Sequence, residues 1–234
     1  LVLVTSAHVT LPSLNNKMPY DALADFTPIT LLSTTPYVLV AHPTLEVKTV
    51  KELIALLKSR PGQLTFASTS SGGGSHIAGE LFKLQAGVDM VHVPYKGSGA
   101  AIPDVVGGQV PLMFENIVSV TPYVKAGRLN ALAISIGHRS PILPDLPTVA
   151  EAGLPGFDVG NWFALLAPAA TAGPVIARLY QDVGKILNTQ EMKSRLAGQG
   201  AEPVGSSPAQ CGQYMRAELV KWSRVIKEAG IKLD

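Results

Sequence analysis

The sequence contains little charge, few aromatic residues and a single cysteine. Of its 234 residues, 15% are charged, 6% are aromatic and one, Cys211, is a cysteine. One cysteine excludes a disulfide within the chain and any zinc or iron–sulfur site that needs several sulfur ligands. We expect Cys211 to be an inert thiol. No two of the five histidines have metal-ligand spacing, so the sequence predicts no metal and no other cofactor.

Long apolar runs and blocks of basic residues are also missing. The longest apolar stretch, around Trp162 to Ala170, is interrupted by Pro168 and falls short of the roughly 20 residues that span a bilayer. A net charge of +2 without clustered Lys or Arg argues against a nucleic-acid partner. The first residue is not Met, and no basic segment or cleavage site is visible. We therefore expect that a targeting segment was removed or that the chain begins within a longer protein.

Short β-branched runs alternate with helical patterns, which predicts an α/β fold with mostly parallel strands. With 47% hydrophobic residues the chain can bury a substantial core. The predicted strands are Leu1–Val4, Pro36–Ala41, Leu64–Ala67, Met90–Val93, Val110–Phe114, Leu132–Ile136 and Asn161–Ala167.

Capping residues mark several helix boundaries. Thr49 and Glu52 form a capping box at the start of one predicted helix, and Thr148 and Glu151 predict a second, small helix. The last helix is expected to begin at Ser207-Pro208 and to end at Gly230. A polar turn is expected directly after Val4.

A Ser-, Thr- and Gly-rich loop follows the strand Leu64–Ala67 and opens a helix. It comprises Ser68 to Ser75, including Ser70, Ser71, Gly72 and Gly73. Unpaired N–H groups and the helix dipole make such a helix start attractive to anions. The loop lacks the lysine of a Walker motif, and Ile77 replaces the last glycine of a nucleophile elbow. Two hypotheses stay open, an anion-binding loop and a flexible connection that binds nothing.

A second loop of this kind follows the strand Met90–Val93. Tyr95 could form a pocket wall there and Lys96 could neutralise a carboxylate, although Lys96 could equally be a solvated surface residue. His76, at the start of the preceding helix, could order the Ser-rich loop or contact a ligand. Glu115 follows the strand Val110–Phe114. Since ligands of open α/β sheets bind beyond the carboxyl ends of the strands, these residues are candidate ligand contacts. A lone carboxylate is weak support for acid–base catalysis.

Six ordered motifs give the whole chain a resemblance to a known family. They are Met18-Pro19-Tyr20-Asp21 with Asp25-Phe26-Thr27-Pro28, Ala67 to Phe82, Val91 to Gly97, Gly107 to Val110, Leu143 to Gly153, and Lys221-Trp222 with Ile226 to Ile231. The sequence resembles the Bug family, the TctC-like periplasmic solute-binding receptors of tripartite tricarboxylate transporters.

The resemblance implies a two-lobed type II periplasmic-binding-protein fold, the Venus flytrap. Lobe 1 would comprise residues 1–38 and 158–234, and lobe 2 residues 39–157. Such a receptor closes on a small organic carboxylate and delivers it to membrane permease subunits. The resemblance therefore implies a periplasmic, monomeric binding protein that is not an enzyme. Di- and tricarboxylates, amino acids and aromatic acids are all compatible solutes, and Trp162 and Phe163 could either favour an aromatic acid or belong to the core.

The resemblance also implies ligand contacts and one missing segment. Thr5, Ser6 and His8 match the family's loop after an early strand, and Glu115 stands where the family usually carries Asp. Family members begin with a strand, a Pro- and Gly-rich loop and a helix that this sequence is expected to lack. Lobe 1 would then be incomplete, with an exposed sheet edge and weaker ligand affinity. A truncated or sensory module without solute binding, and an α/β enzyme acting on a carboxylate, are the competing hypotheses.

Overall fold

The computed structural model describes residues 1–15 and 17–231 and has the predicted α/β architecture. The chain divides into two compact units. Unit 1 comprises Leu1–Thr35 and the chain from Asn161 onwards, and unit 2 comprises Pro36–Gly160. The assignment of residues 1–38 with 158–234 and of residues 39–157 as ligand-closing lobes stays a prediction.

Unit 2 contains a mixed sheet and four α-helices. Its elements are the end of β2 (Phe26–Ala41), α2 (Val50–Ser59), β3 (Thr65–Ser68), α3 (Gly74–Ala86), β4 (Val91–Pro94), α4 (Ser98–Val106), β5 (Leu112–Asn116), α5 (Ile117–Lys125) and β6 (Asn130–Ile134), with a 3₁₀ turn at Pro43–Leu45. β2 lies between β6 and β5, and β3 and β4 follow β5.

Both faces of the unit 2 sheet are covered, which explains why the last seven residues of β2 are all buried. On one face, Val38, Val40 and Met113 pack with apolar residues of α4 and α5. On the other face, Phe114 of β5 contacts Phe82 of α3 and Phe157, with ring centroids 6.1 and 5.8 Å apart. Unit 2 is therefore a three-layer arrangement with helices on both sides of the sheet.

Unit 1 is formed by the two ends of the described chain. Its elements are β1 (Val2–Thr5), α1 (Ala7–Leu14), the first part of β2, β7 (Gly160–Pro168), α6 (Gly173–Leu187), α7 (Gln190–Gly198), β8 (Glu202–Pro203) and α8 (Pro208–Ala229). β7 lies between β1 and β2, and β8 pairs with β2. β1 occupies the edge of this strand order, and its residues Leu1 and Leu3 are 72% and 58% exposed.

The side chains of β7 alternate between the two faces of the sheet. Leu165 and Ala167 face α6 and pack with Ile176 of that helix and with Ile29 of β2. Trp162 points the other way and is fully buried, so it belongs to the core. Its indole Nε1–H donates to Glu218 on α8 at 3.3 Å, and Trp222 of the same helix donates to that carboxylate at 2.8 Å. One carboxylate therefore ties β7 to α8.

Several boundary predictions are confirmed. Both hydrogen bonds of the Thr49–Glu52 capping box are present at the start of α2. α8 begins at Pro208 with Ser207 as its N-cap, and Gly230 ends it in the left-handed conformation with φ 65°. Cys211 is fully buried in α8, and burial raises the pKa of its thiol to about 11.

Three local predictions are wrong. The strands are not mostly parallel, because β2 pairs antiparallel with β5, β6 and β8, and β1 pairs antiparallel with β7. The segment after Thr148 is a turn and not a helix. Thr148 and Glu151 do exchange their capping hydrogen bonds, at 3.0 and 2.9 Å, but Gly153 with φ 126° ends the turn at once. The polar turn expected after Val4 is the start of α1, which forms despite Pro12 because it packs against α8.

Within the described residues, no helix combines the length and the apolar character that a membrane span needs.

Candidate functional site

The candidate site lies where three parallel strands of unit 2 end together. β3 pairs in parallel register with β4, up to Ser68 opposite Pro94, and with β5, up to Ala67 opposite Met113. Each of these strands leads into a helix: β3 into α3, β4 into α4 and β5 into α5. Three helix N-termini, with their positive dipole ends, therefore lie at one edge of this sheet.

The Ser-rich loop between β3 and α3 is held by its own side chains. The Thr69 N–H donates to Ser75 Oγ at 3.0 Å, and the Gly73 N–H donates to the Ser70 carbonyl at 3.3 Å. Ser68 and Ser75 are buried, Ser71 is half-buried and Ser70 is exposed. These contacts give the loop a defined shape, so the hypothesis of a purely flexible connection does not fit its hydrogen bonding.

The start of α3 offers backbone donors. The first backbone hydrogen bond of the helix runs from the Ile77 N–H to the Gly73 carbonyl at 3.0 Å. The N–H groups of Gly74, Ser75 and His76 precede this bond, so they have no acceptor within the helix. Gly74 has to be glycine, because a Cβ there would overlap the Tyr37 hydroxyl. Adjacent N–H groups at a helix start can hold an oxyanion.

Two stacked histidines form hydrogen bonds that hold this loop in position. The rings of His76 and His92 have centroids 3.6 Å apart and planes 6° apart. The Gly72 N–H donates to His76 Nδ1 at 2.9 Å, so the neutral His76 ring carries its proton on Nε2. The Ser68 hydroxyl donates to the Ser70 carbonyl at 3.1 Å, and His92 Nε2 therefore donates to Ser68 Oγ at 2.6 Å. Ser68 at the start of the loop and Gly72 within it are both hydrogen-bonded to this pair of rings.

His76 is held in its neutral form. Burial, followed by the nearby His92 and Lys83, lowers the pKa of His76 to about 3. Its Nε2 faces Glu80 Oε1 at 3.8 Å, and Glu80 pairs with Lys83 at 3.1 Å. A neutral His76 can accept from the Gly72 N–H, whereas a protonated ring could not. His76 is thus a positioning residue for the loop.

The second loop is bonded to the first. The Tyr95 N–H donates to the Ser68 carbonyl and the Gly97 N–H to the Thr69 carbonyl, both at 2.9 Å. The Tyr95 hydroxyl donates to Asp104 at 2.7 Å, and burial together with this carboxylate raises the pKa of Tyr95 to about 12. The Lys96 side chain is exposed. Tyr95 is therefore fixed, while Lys96 is available to an anion that approaches this edge.

Glu115 joins the same cluster through α4. Its Oε1 accepts from the Asn116 N–H at 2.7 Å and from Ser98 Oγ, at the first residue of α4, at 3.2 Å. Burial raises the pKa of Glu115. The structure thus brings together, at one edge of unit 2, the predicted residues Ser68, Ser70, Ser71, Gly72, Gly73, Ser75, His76, Tyr95, Lys96 and Glu115.

The predicted contacts of unit 1 lie around the end of β1. Thr5 pairs with Phe163 of β7, and Ser6 Oγ donates to Asn161 Oδ1 at 3.3 Å. His8 is buried in α1, where its Nε2–H donates to the Ala22 carbonyl at 2.8 Å. Its ring stacks on that of Tyr20, and burial lowers its pKa. A role of Thr5, Ser6 and His8 in ligand binding stays a prediction.

Three residues of the cluster were not predicted from the sequence. Tyr37 comes to it through β2, and His92 through its stack on His76. No local pattern indicates either contact. Glu80, in contrast, stands four residues after His76 on one helix, and this spacing alone indicates a neighbour on the same helix face.

Comparison with known proteins decides the family. Residues 1–231 match the family model described as TctC, Tripartite tricarboxylate transporter family receptor. The chain belongs to the TctC family. This is a family of binding proteins and not of enzymes. The chain is 38% identical over 221 residues to Protein BugT of Bordetella pertussis, an alignment that covers 94% of this chain and 68% of BugT.

Solved TctC-type structures share this chain's fold. The structure of R. palustris Rpa4515 with adipate superposes with a TM-score of 0.87 at 35% identity, covering 98% of this chain and 77% of that one. MatC from Rhodopseudomonas palustris with bound malate gives a TM-score of 0.81 at 32% identity, covering 96% and 78%. The chain spans 63% to 68% of the length of three curated relatives, BugT among them.

Proposed function

We propose that this TctC-family chain is a periplasmic solute-binding protein that captures a small organic carboxylate between two lobes and delivers it to the membrane permease of a tripartite tricarboxylate-type transporter. The observation that carries the proposal is the edge of unit 2 where β3, β4 and β5 end. There the N–H groups of Gly74, Ser75 and His76 lack helical acceptors, and the Ser-rich loop is fixed around them.

The chemistry of this edge suits a carboxylate. Backbone N–H groups, hydroxyl groups and three helix N-termini hold an anion without a metal and without a nucleophile. Lys96 adds an exposed positive charge in the adjoining loop. Two similar proteins were solved with adipate and with malate, which makes dicarboxylates the first solutes to test.

A thermal melt with a panel of organic acids tests the proposal. The panel comprises adipate, malate, citrate, aspartate and benzoate, each compared with sodium chloride at equal ionic strength. A ligand that binds only the folded chain stabilises it by roughly 2.7 kcal/mol at a hundredfold excess over its Kd. We expect a selective rise of the melting temperature with one acid. A cooperative melt that no acid shifts would instead favour a module without solute binding.

Two serine variants locate the site. Ser75→Ala removes the hydroxyl that accepts from the Thr69 N–H and lies at the start of α3, so it should reduce the shift caused by the acid. Ser59→Ala removes an exposed hydroxyl at the end of α2 and serves as the matched control. An equal reduction in both variants would contradict a site at the Ser-rich loop.

A further inference from the structure

The carboxyl group of Glu115 has one oxygen with partners and one without. Oε1 accepts two hydrogen bonds, from the Asn116 N–H and from Ser98 Oγ. Oε2 is buried and has no hydrogen-bond partner, and the residue as a whole is 2% exposed. A buried carboxylate oxygen without a donor is strongly unfavourable. Oε2 therefore needs a donor from outside the chain or a proton of its own.

Burial of Glu115 disfavours a negative charge on its carboxyl group, whereas the hydrogen bonds from Asn116 and Ser98 favour that charge. Burial, and after it the nearby Glu115, raises the pKa of Tyr37 on β2, so Tyr37 is neutral and supplies no opposite charge to Glu115. Within the described chain, no Lys, Arg or His side chain forms an ion pair with Glu115. Other ionisable groups on neighbouring elements have partners of their own, namely His76, Glu80 and Lys83 on α3, Asp104 on α4 and His92 on β4. The effect of burial exceeds that of the two hydrogen bonds, so the pKa of Glu115 is raised.

The position of Glu115 gives its protonation state a consequence for the ligand. Ser98, its partner, is the first residue of α4, and Asn116 is the N-cap of α5. An ionised Glu115 at these helix starts would repel a carboxylate drawn to the same edge of the sheet. A protonated Glu115 could instead donate a hydrogen bond to it.

We propose that Glu115 binds the solute in its protonated form, with Oε2–H donating to a carboxylate oxygen of the ligand, so that each solute is bound together with one proton. The inference rests on the proposed function. The proton comes from solvent, stays on Oε2 while the ligand is bound and returns to solvent on release. The bound carboxylate itself favours the protonated form of Glu115, which makes the coupling mutual. In its protonated form Glu115 favours a ligand carboxylate. It disfavours a ligand ammonium group, which would bind to an ionised Glu115.

Isothermal titration calorimetry of the full chain tests this coupling. Adipate and malate are titrated near pH 6 and near pH 8, each in two buffers of different ionisation enthalpy, which gives the number of protons taken up. Above the pKa of Glu115 the affinity should fall by about tenfold per pH unit. Glu115→Gln offers an N–H donor at every pH, so it should bind with less proton uptake and a flatter pH profile. The unchanged chain and Glu115→Gln are titrated with the same acid, so protonation of the acid itself cancels when their proton uptakes are compared.

Glu218→Gln is the matched control, because Glu218 is a buried carboxyl group with several donors of its own in unit 1. It should retain the proton uptake of the unchanged chain. Binding near pH 8 without proton uptake and with the affinity seen for Glu115→Gln, or identical pH profiles for the unchanged chain and Glu115→Gln, would overturn the inference and leave the proposed function standing. Aspartate that binds more tightly as the pH rises would also overturn it, because an ammonium donor uses the ionised carboxylate. No binding of any acid at either pH would overturn the proposed function and this inference with it.

Discussion

His76 accepts the N–H of Gly72 on Nδ1 at 2.9 Å while its ring stacks on that of His92. The contact works only for a neutral His76 ring, because a protonated Nδ1 has no lone pair to accept with. The shape of the Ser-rich loop therefore depends on His76 remaining unprotonated at Nδ1 in the folded chain.

The first prediction concerns the pH dependence of stability. His76 has its ordinary pKa of 6.5 when unfolded and a pKa of about 3 when folded. Above pH 6.5 both states are neutral, and below it only the unfolded chain takes up the proton. The stabilisation by neutral His76 is therefore present above pH 6.5 and is lost as the pH falls towards 3, by about 1.4 kcal/mol per pH unit. Urea unfolding at several pH values measures this loss.

A comparison of variants isolates His76 from other titrating groups. In His76→Gln, this loss should be absent, so the difference in unfolding free energy between the unchanged chain and the variant should shrink by about 2 kcal/mol from pH 6.5 to 5. His138→Gln alters an exposed histidine and serves as the matched control. Parallel pH profiles of the unchanged chain and His76→Gln would show that His76 is not the group responsible.

The second prediction concerns a close contact between a helix and the sheet. A Cβ at Gly79 in α3 would overlap the ring of Phe66, whereas a Cβ at Gly184 in α6 would meet nothing within 4 Å. Both substitutions to alanine improve helix propensity by about 0.5 to 1 kcal/mol. We expect Gly184→Ala to stabilise the chain by about that amount, and Gly79→Ala to destabilise it by about 1 to 3 kcal/mol through overpacking. Chemical denaturation should reveal opposite signs, and two stabilising substitutions would contradict the contact.

The third prediction concerns the carboxylate between two tryptophans. Glu218→Ala removes the acceptor of both Trp162 and Trp222, which are buried. Each orphaned indole N–H is unfavourable, so we expect a loss of about 2 to 4 kcal/mol in unfolding free energy. Glu228→Ala, on the exposed side of the same helix, breaks only the pair with Arg224 and should change stability by less than about 0.5 kcal/mol. Similar losses in the two variants would refute this account.

The fourth prediction concerns Cys211. Its thiol is fully buried and burial raises its pKa to about 11, so near pH 8 roughly a thousandth of it is thiolate. A thiol-specific reagent should label the native chain slowly, and labelling should accelerate in urea in step with unfolding. Rapid stoichiometric labelling without denaturant would show that the thiol is accessible in the native state.

Local rules predicted much of the fold. The capping box of Thr49 and Glu52, the start of α8 at Ser207-Pro208 and its end at Gly230 each depend on a few neighbouring residues. The same holds for the loops that follow β3 and β4, whose position between a strand and a helix is visible in the sequence. These features could be predicted because their physical causes lie within one or two turns of chain.

Features that depend on distant residues could not be predicted in this way. Thr148 and Glu151 form their hydrogen bonds around a turn, since capping alone does not overcome Gly153 and Pro155. Tyr37 reaches the candidate site from a strand that precedes it by over thirty residues in the chain, and only the sheet order brings it beside Gly74. The unpartnered Oε2 of Glu115 likewise follows from tertiary packing.

The chain order of the two units has a consequence for the order in which they can fold. Unit 2 is one uninterrupted segment, Pro36–Gly160, whereas unit 1 needs Leu1–Thr35 and the chain from Asn161 onwards. Unit 2 can therefore complete its fold without any other part of the chain, since domains generally fold as units. β1 and the first part of β2 cannot complete unit 1 until β7, their partner strand, is available. The apolar residues that folded unit 1 buries, such as Val9 and Ile29, should accordingly be most in need of chaperone protection until the chain from Asn161 onwards is available.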